Sequence, residues 1–92
     1  MPRFLIEVPH EGSTAACNRA IEVFLRTGSH FLTHADWGCK DGVHKAWFIA
    51  ETETKEEARS IVPADYRANA TIVKLTIFDT KDLERMRTHH TR

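Results

Sequence analysis

Four residues with chemically useful side chains lie close together near the middle of the sequence: His34, Asp36, Cys39 and His44. An imidazole beside a carboxylate can act as a general base, because the carboxylate fixes the tautomer of the ring and raises its basicity. The same residue types bind transition metals, since imidazole, thiolate and carboxylate groups are ligands of zinc, nickel and copper. The segment therefore allows two kinds of site.

The first hypothesis is a proton-transfer site. His34 and Asp36 are two residues apart, so on a β-strand they would share one face. If the following strand pairs with theirs, His44 becomes a cross-strand neighbour of Asp36, roughly 5 Å away between Cβ atoms. His34 would be the base, and Asp36 or His44 would orient it or exchange the proton. The competing explanation is structural: these groups form salt bridges and hydrogen bonds on a solvated sheet.

The second hypothesis is a metal site built from His34, Asp36, Cys39 and His44, with His10 as an additional candidate ligand. Such a site would hold zinc, nickel or copper. Its ligand spacing differs from that of closed zinc sites such as paired Cys-x-x-Cys motifs. The metal-site hypothesis therefore depends on how the chain folds around Cys39.

Hydrophobic periodicity predicts the elements that position these residues. Alternating apolar residues predict a strand over 4–8, and apolar residues at helical spacing predict a helix over 15–27. Two more strands, over 31–37 and 43–51, are expected to form a hairpin. The turn between them, residues 39–42, contains an Asp-Gly pair, which is typical of tight hairpin turns.

The second half of the chain completes the pattern. A capping box from Thr54 to Glu57 predicts a short helix that Pro63 ends. A strand is predicted over 71–78, and residues 81–92 are expected to form a helical turn and a frayed tail. Strand, helix, strand, strand, helix, strand is the order of a ferredoxin-like α+β fold, a four-stranded antiparallel sheet with helices on one face. At 92 residues the chain has room for one such domain, spanning 1–92.

This fold would leave the other sheet face bare in a monomer. Val73, Leu75 and Ile77 are expected to face the helices. The residues predicted to lie on the bare face are Leu5, Glu7, His34, Asp36, His44, Ala46, Phe48, Ile72, Lys74, Thr76 and Phe78. Among them, the residues predicted to contact a substrate are Glu7, Lys74, Phe48 and Phe78. We expect a homodimer whose facing sheets enclose a small-molecule pocket. A structural dimer without a cavity is the alternative.

Composition restricts the classes of partner. With 13 basic and 13 acidic residues the charge is balanced, which argues against a nucleic-acid or membrane surface. No apolar run approaches the ~20 residues needed to cross a bilayer, and no signal peptide is visible. Cys17 is predicted on the apolar stripe of the first helix and Cys39 in a turn. We therefore expect both cysteines to be unpaired, reduced thiols in a cytoplasmic protein.

The assembled pattern resembles the dimeric α/β-barrel group of small bacterial proteins. It is most similar to muconolactone isomerases, through Arg26-Thr-Gly28, Gly42-x-His44, Lys55-Glu-Glu-Ala58 and Pro63. The similarity covers about half the chain, and the segment from His34 to Cys39 has no counterpart in it, so no catalytic residue is carried over.

The resemblance implies a dimer with ligand pockets. It leaves the chemistry open, because the group also includes cofactor-free monooxygenase-like proteins and a nickel-binding member. If the protein is an enzyme, we expect cofactor-free, isomerase-like proton transfer on a small carbonyl or aromatic-degradation compound.

Overall fold

The structure, a computed structural model, describes residues 1–90 and the side chains of residues 1–87. The elements occur in the order β1 (Arg3–Pro9), α1 (Thr14–Arg26), α2 (His30–Thr33), β2 (Asp36–Trp37), a 3-10 turn (Cys39–Asp41), β3 (Lys45–Glu51), α3 (Lys55–Ile61), α4 (Ala64–Arg67), β4 (Thr71–Leu75) and α5 (Thr80–His90). The strands form one antiparallel sheet in the order β2-β3-β1-β4. The predicted α+β class with a four-stranded antiparallel sheet is therefore confirmed.

Helix α1 forms where the apolar spacing predicts it. The Ser13 hydroxyl accepts a hydrogen bond from the Ala16 N–H at 3.0 Å, which satisfies one of the free donors of the first turn. Cys17, Ala20 and Phe24 lie on one stripe of the helix and are buried against the sheet. This stripe brings Cys17 close to the turn that precedes β3.

The strand predicted over 31–37 was wrong for most of its length. Residues His30–Thr33 form the single helical turn α2, in which Leu32 is buried. Phe31 and Ala35, four residues apart, both pack against the core, so the apolar residues of this segment also fit helical spacing. Only the two residues of β2 pair with β3, with Asp36 opposite Trp47.

The turn before β3 reverses the chain through a 3-10 turn and a glycine. Gly42 has a φ of 78°, in the left-handed region that glycine adopts at little cost, as the Asp-Gly pair predicts. The Gly38 carbonyl accepts from the N–H groups of Asp41 and Val43, both at 3.0 Å. β3 consequently starts at Lys45 rather than at residue 43, and His44 lies just outside the strand.

The two faces of the sheet are distinguished by burial. In β1, Phe4, Ile6 and Val8 are buried beneath the helices, as predicted. We call the opposite side the open face. The residues whose strand register places them on it are Arg3, Leu5, Glu7, Pro9, Asp36, Lys45, Trp47, Ile49, Glu51, Thr71, Val73 and Leu75.

Strand β3 has the opposite orientation to the one predicted. Ala46 and Phe48, expected on the bare face, are buried in the core, and Ile49 is 47% exposed on the open face. The irregular turn replaces the simple hairpin loop from which the register was predicted. A shift of one residue turns every side chain of a strand to the other face.

Strand β4 is reversed in the same way. Ile72, predicted on the bare face, is buried, whereas Val73, predicted to face the helices, is 53% exposed. β4 also ends at Leu75, so Ile77 and Phe78 lie beyond the strand and are exposed. Alternation favoured the wrong set here, because Val73, Leu75 and Ile77 are all apolar, whereas the buried Ile72 shares its set with Lys74 and Thr76.

The later helices are partly as predicted. The Thr54 hydroxyl accepts from the Glu57 N–H at 3.1 Å, which confirms the N-cap of α3. The Glu57 carboxylate accepts from the Thr54 hydroxyl at 3.3 Å, in place of the backbone N–H expected in a capping box. Residues 63–70, predicted as loop, contain α4, and α5 is longer than the predicted turn. The predicted frayed tail overlaps α5 at residues 89–90, and its last two residues lie outside the described part of the chain. Within that part, none of the helices has the length and apolarity to cross a bilayer.

Candidate metal centre

Three side chains with metal-binding atoms meet at one end of the sheet. His10 follows β1, Cys39 begins the 3-10 turn and His44 precedes β3, and all three are half-buried. One donor atom from each, an imidazole nitrogen or the sulfur, lies within 4.8 Å of the other two. Among the described residues this is the one group of three or more His, Cys, Asp or Glu side chains with such an arrangement. Two imidazoles, together with the thiolate that Cys39 would supply when reduced, suit zinc and related transition metals.

The backbone holds the two histidines together. The His10 N–H donates to the His44 carbonyl at 3.0 Å, which extends the β1–β3 pairing past the last strand residues. The imidazole rings are 5.9 Å apart between centroids and nearly perpendicular. Gly12 leaves room for this arrangement, because a Cβ there would lie 3.2 Å from Cδ2 of His44. The histidines are therefore positioned by a strand pair and a small residue.

His44 has an unsatisfied nitrogen. Its Nδ1 atom is buried and has no hydrogen-bond partner. A buried polar atom without a partner costs roughly 1–3 kcal/mol, so such atoms are rare unless they bind something. A metal ion is one partner that would satisfy an imidazole nitrogen, so this observation agrees with the chemistry of the donor set.

The electrostatics of His10 favour the form that binds metals. Burial lowers the pKa of His10, and the nearby His44 lowers that pKa further by charge repulsion. A lowered pKa keeps the imidazole neutral near neutral pH. Neutral imidazole retains the lone pair that a metal requires.

Cys39 is joined to Cys17 by a disulfide, so the prediction of two unpaired thiols was wrong. The cysteines are 22 residues apart in sequence, and their Cα atoms are 6.9 Å apart. Their proximity arises because the buried stripe of α1 packs under the 3-10 turn, a tertiary contact that neither local pattern contains. Cys39 Sγ also lies 3.1 Å from His10 Nε2, so the same sulfur contacts both the disulfide partner and a candidate ligand.

A cavity of about 590 Å³ lies beside this cluster. Both cysteines and His44 line it, together with Trp37, Ile21 and other residues of α1 and the turn. Cys17 itself is only 7% exposed, whereas Lys40 and Asn18 at the cavity are exposed. A small molecule in the cavity can therefore approach the half-buried Cys39, whereas Cys17 is buried.

The predicted catalytic group His34, Asp36 and His44 is not brought together. Asp36 pairs with Trp47 rather than with His44, because the turn is longer than a simple hairpin loop. His34 and Asp36 line a separate cavity of about 420 Å³, which His30 also lines. The predicted metal set therefore keeps only Cys39 and His44.

His34 is held by its own helical turn. Its Nδ1 is 2.8 Å from the His30 carbonyl oxygen, and the two imidazole rings are 4.4 Å apart between centroids. Since a carbonyl oxygen can only accept, Nδ1 carries the proton in this contact, and Nε2 is then free to accept one.

The predicted substrate residues are scattered. Glu7 lies on the open face and accepts from Trp47 Nε1 at 3.0 Å and Lys45 Nζ at 3.4 Å. Lys74 pairs with Phe4, so it lies on the opposite side of the sheet from Glu7. Phe48 is in the core at 4% exposure, and Phe78 is 61% exposed beyond β4. These four residues do not form one site.

The sequence analysis did not identify the roles of His10, a member of the cluster, and of Cys17, which is bonded to Cys39. His10 was only an additional candidate, and Cys17 was assigned to the core. A signal for His10 exists, since a residue that directly follows β1 must lie near the start of an antiparallel partner strand. The helical periodicity predicted that Cys17 is buried, but it did not predict which element Cys17 contacts.

No family model, curated protein or solved structure matches this chain. We therefore infer its function from the geometry of the site.

Proposed function

We propose that this protein binds a transition-metal ion, with zinc as the best-suited metal, through His10, Cys39 and His44 when the cysteines are reduced. The observation that carries the proposal is the convergence of three donor atoms within 4.8 Å from three separate segments. The partnerless Nδ1 of His44 supports it. Nickel and copper accept the same donor types and remain the competing ions.

The ligands would act in their unprotonated forms. The lowered pKa of His10 keeps its ring neutral, and metal binding would remove the proton from Cys39. The backbone hydrogen bond between His10 and His44 already fixes the main chain of both ligands, so less conformational entropy would be lost when they bind a metal. The adjacent cavity would leave a bound ion accessible to a further ligand.

Elemental analysis of reduced protein tests this function. We expect one zinc per chain after purification with a reductant and without a chelator or an affinity tag. His44→Ala should lower the affinity by more than about 100-fold, since even loss of an outer-shell partner costs 10–100-fold. His34→Ala is the matched control, because it removes an imidazole from the other cavity. Reduced wild-type protein that stays metal-free in zinc-containing buffer would refute the function, as would equal losses in both variants.

A second candidate is small-molecule binding, with cofactor-free, isomerase-like proton transfer, at the cavity that His34 and Asp36 line. The favouring observation is the Nδ1 contact of His34 with the His30 carbonyl, which leaves Nε2 available as a base. Asp36 and Glu51 supply negative charge at the same cavity.

Solvent exchange at the α-carbon of a small ketone or lactone in D₂O tests this candidate by NMR. We expect wild-type protein to accelerate the exchange and His34→Ala to abolish the acceleration. His10→Ala is the control and should retain it. Exchange at the buffer rate with wild-type protein would eliminate the candidate.

We also propose that two copies associate through the open face in a ferredoxin-like arrangement. The strand order β2-β3-β1-β4 supports this assignment. Ile49, Leu5 and Val73 form an apolar row across three strands of the open face. Helix α5 makes few contacts with the rest of the described chain and exposes Leu83 and Met86. We propose that helix α5 of the second copy packs against this apolar row.

Surface area supports the same association. The chain exposes 6672 Å², whereas a compact monomer of its 10.6 kDa exposes about 5,500 Å². The excess, about 1,200 Å², exceeds the roughly 800 Å² that each partner buries in a standard interface. The chain therefore has enough excess surface to form one interface of standard size.

A further inference from the structure

We propose that Cys17 couples metal occupancy to the redox state of the protein, so that the disulfide and the bound metal exclude each other. This proposal rests on the metal-binding function proposed above. It assigns to Cys17 two roles, as a metal ligand in the reduced protein and as the disulfide partner that displaces the metal in the oxidised protein.

The exclusion follows from the shared sulfur atom. Cys39 Sγ is bonded to Cys17 Sγ and lies 3.1 Å from His10 Nε2. A thiolate is the metal-binding form of cysteine, and a sulfur in a disulfide carries no such charge. Oxidation therefore removes one of the three converging donors and leaves two imidazoles.

Reduction would provide a fourth donor. Cys17 Sγ is bonded to Cys39 Sγ, so reduction frees a second thiolate next to Cys39. The three donors that already lie within 4.8 Å of one another are those of His10, Cys39 and His44, and the Cys17 sulfur would join them in the reduced protein. Two cysteines and two histidines are one of the usual ligand sets of structural zinc sites. Because Cys17 lies on the buried stripe of α1, this set would join that helix to the turn before β3.

The cavity gives an external reagent access to the half-buried Cys39. Both cysteines line it, and its rim includes exposed polar residues such as Asn18 and Lys40. A small disulfide of the glutathione type can therefore react with a thiolate there. Thiol–disulfide exchange requires such access, since it proceeds by direct attack of a thiolate on sulfur.

The reaction balances with a small disulfide as the oxidant. One cysteine thiolate attacks it, forms a mixed disulfide and releases one small thiolate, which takes up a proton. The second cysteine thiolate attacks the mixed disulfide at the protein sulfur and releases the second small thiol, again with a proton. Two electrons pass from the cysteines to the external disulfide, the Cys17–Cys39 bond forms, and the metal leaves as a divalent ion.

Zinc release and thiol loss, measured together, test the coupling. Reduced wild-type protein is loaded with zinc, oxidised glutathione is added and free zinc is followed with a chromogenic chelator. Protein thiols are counted after denaturation and removal of glutathione. We expect one zinc released for two thiols lost, with no glutathione adduct by mass spectrometry. Cys17→Ser should instead accumulate an adduct at Cys39, because it has no partner thiol. A wild-type protein that stays adducted, or that loses both thiols while keeping its zinc, would overturn the proposal.

The midpoint potential provides a second measurement that needs no variant. If zinc binds only the reduced pair, each tenfold rise in free zinc above the dissociation constant should raise the midpoint by about 30 mV. A midpoint independent of zinc, in reduced protein that does bind zinc, would overturn the coupling and leave the metal-binding function intact. Failure of the reduced protein to bind zinc at all would overturn both.

Discussion

At the scale of single residues, the four histidines whose side chains the structure describes, of six in the sequence, divide by environment. His10 and His44 are half-buried at the end of the sheet, and one nitrogen of His44 lacks a partner. His30 and His34 are exposed and contact each other on one helical turn. Residue type alone does not distinguish these pairs, whereas burial and missing hydrogen bonds do. The metal proposal therefore concerns His10 and His44.

Glu7 provides a test of charge at the residue scale. The Trp47 hydrogen bond is the largest influence and lowers the pKa of Glu7; burial opposes it, and the hydrogen bond and the charge of Lys45, each weaker than the effect of burial, also lower the pKa. A carboxyl group whose pKa is lower in the folded state stabilises the protein above its unfolded pKa, about 4.3. This stabilisation is lost as the pH falls through the folded pKa.

We therefore expect the unfolding free energy of wild-type protein to fall below about pH 4.3, and to fall less for Glu7→Gln. Urea unfolding between pH 3 and 7, followed by tryptophan fluorescence, measures this difference. Glu53→Gln at an exposed position is the control and should follow wild type. Identical curves for wild type and Glu7→Gln would show that the Trp47 contact contributes no pH dependence.

At the scale of elements, the sequence predicted the regular segments well and the irregular one poorly. α1, β1 and α3 each have one dominant periodicity or a cap, and all three were found close to their predicted positions. Residues 31–44 combine a helical turn, a two-residue strand and a 3-10 turn, none long enough to show a period. Since the site depends on this segment, the faces of β3 and the partners of Asp36 could not be predicted.

The disulfide also belongs to this scale, because it connects α1 to the turn. A cross-link over 22 residues restricts the unfolded chain and contributes about 3 kcal/mol in the chain-entropy model. Reduction of metal-free protein should lower the unfolding free energy by about this amount. Zinc at 100 times its dissociation constant should restore about 2.7 kcal/mol.

Chemical denaturation with and without reductant measures both effects. A Cys17→Ser, Cys39→Ser double variant is the control, and reductant should not change its stability. Loss of stability on reduction without recovery on addition of zinc would contradict the expected replacement of one cross-link by another.

At the scale of the whole molecule, the chain is elongated. Its radius of gyration is 16.3 Å, compared with about 12 Å for a compact domain of this length. Ile77, Phe78, Leu83 and Met86 are exposed near or on α5. The sequence predicted a bare sheet face, but it assigned several core residues to that face. An exposed sheet face is therefore present, but several of the side chains on it differ from those that the sequence predicted.

Adjacent residues of β4 provide a matched test of association. Val73 lies on the open face and Lys74 on the side of the helices. We expect wild-type protein to sediment as a dimer and Val73→Asp to sediment as a monomer, since a buried unpaired carboxylate opposes association. Lys74→Asp should leave the dimer intact. A monomeric wild-type protein, or equal effects of both substitutions, would contradict the proposed interface.

Backbone hydrogen bonds extend the β1–β3 pairing at both ends, from the His10 amide to the His44 carbonyl and from the Thr52 amide to the Pro2 carbonyl. An ion bound by His10 and His44 would add a further link between the strands at the first end, whereas Arg3 and Glu51 at the other end are held by backbone pairing alone. Strand separation would then start from the Arg3 end and proceed toward the ion. In hydrogen–deuterium exchange, zinc should slow the amides near His10 more than those near Arg3.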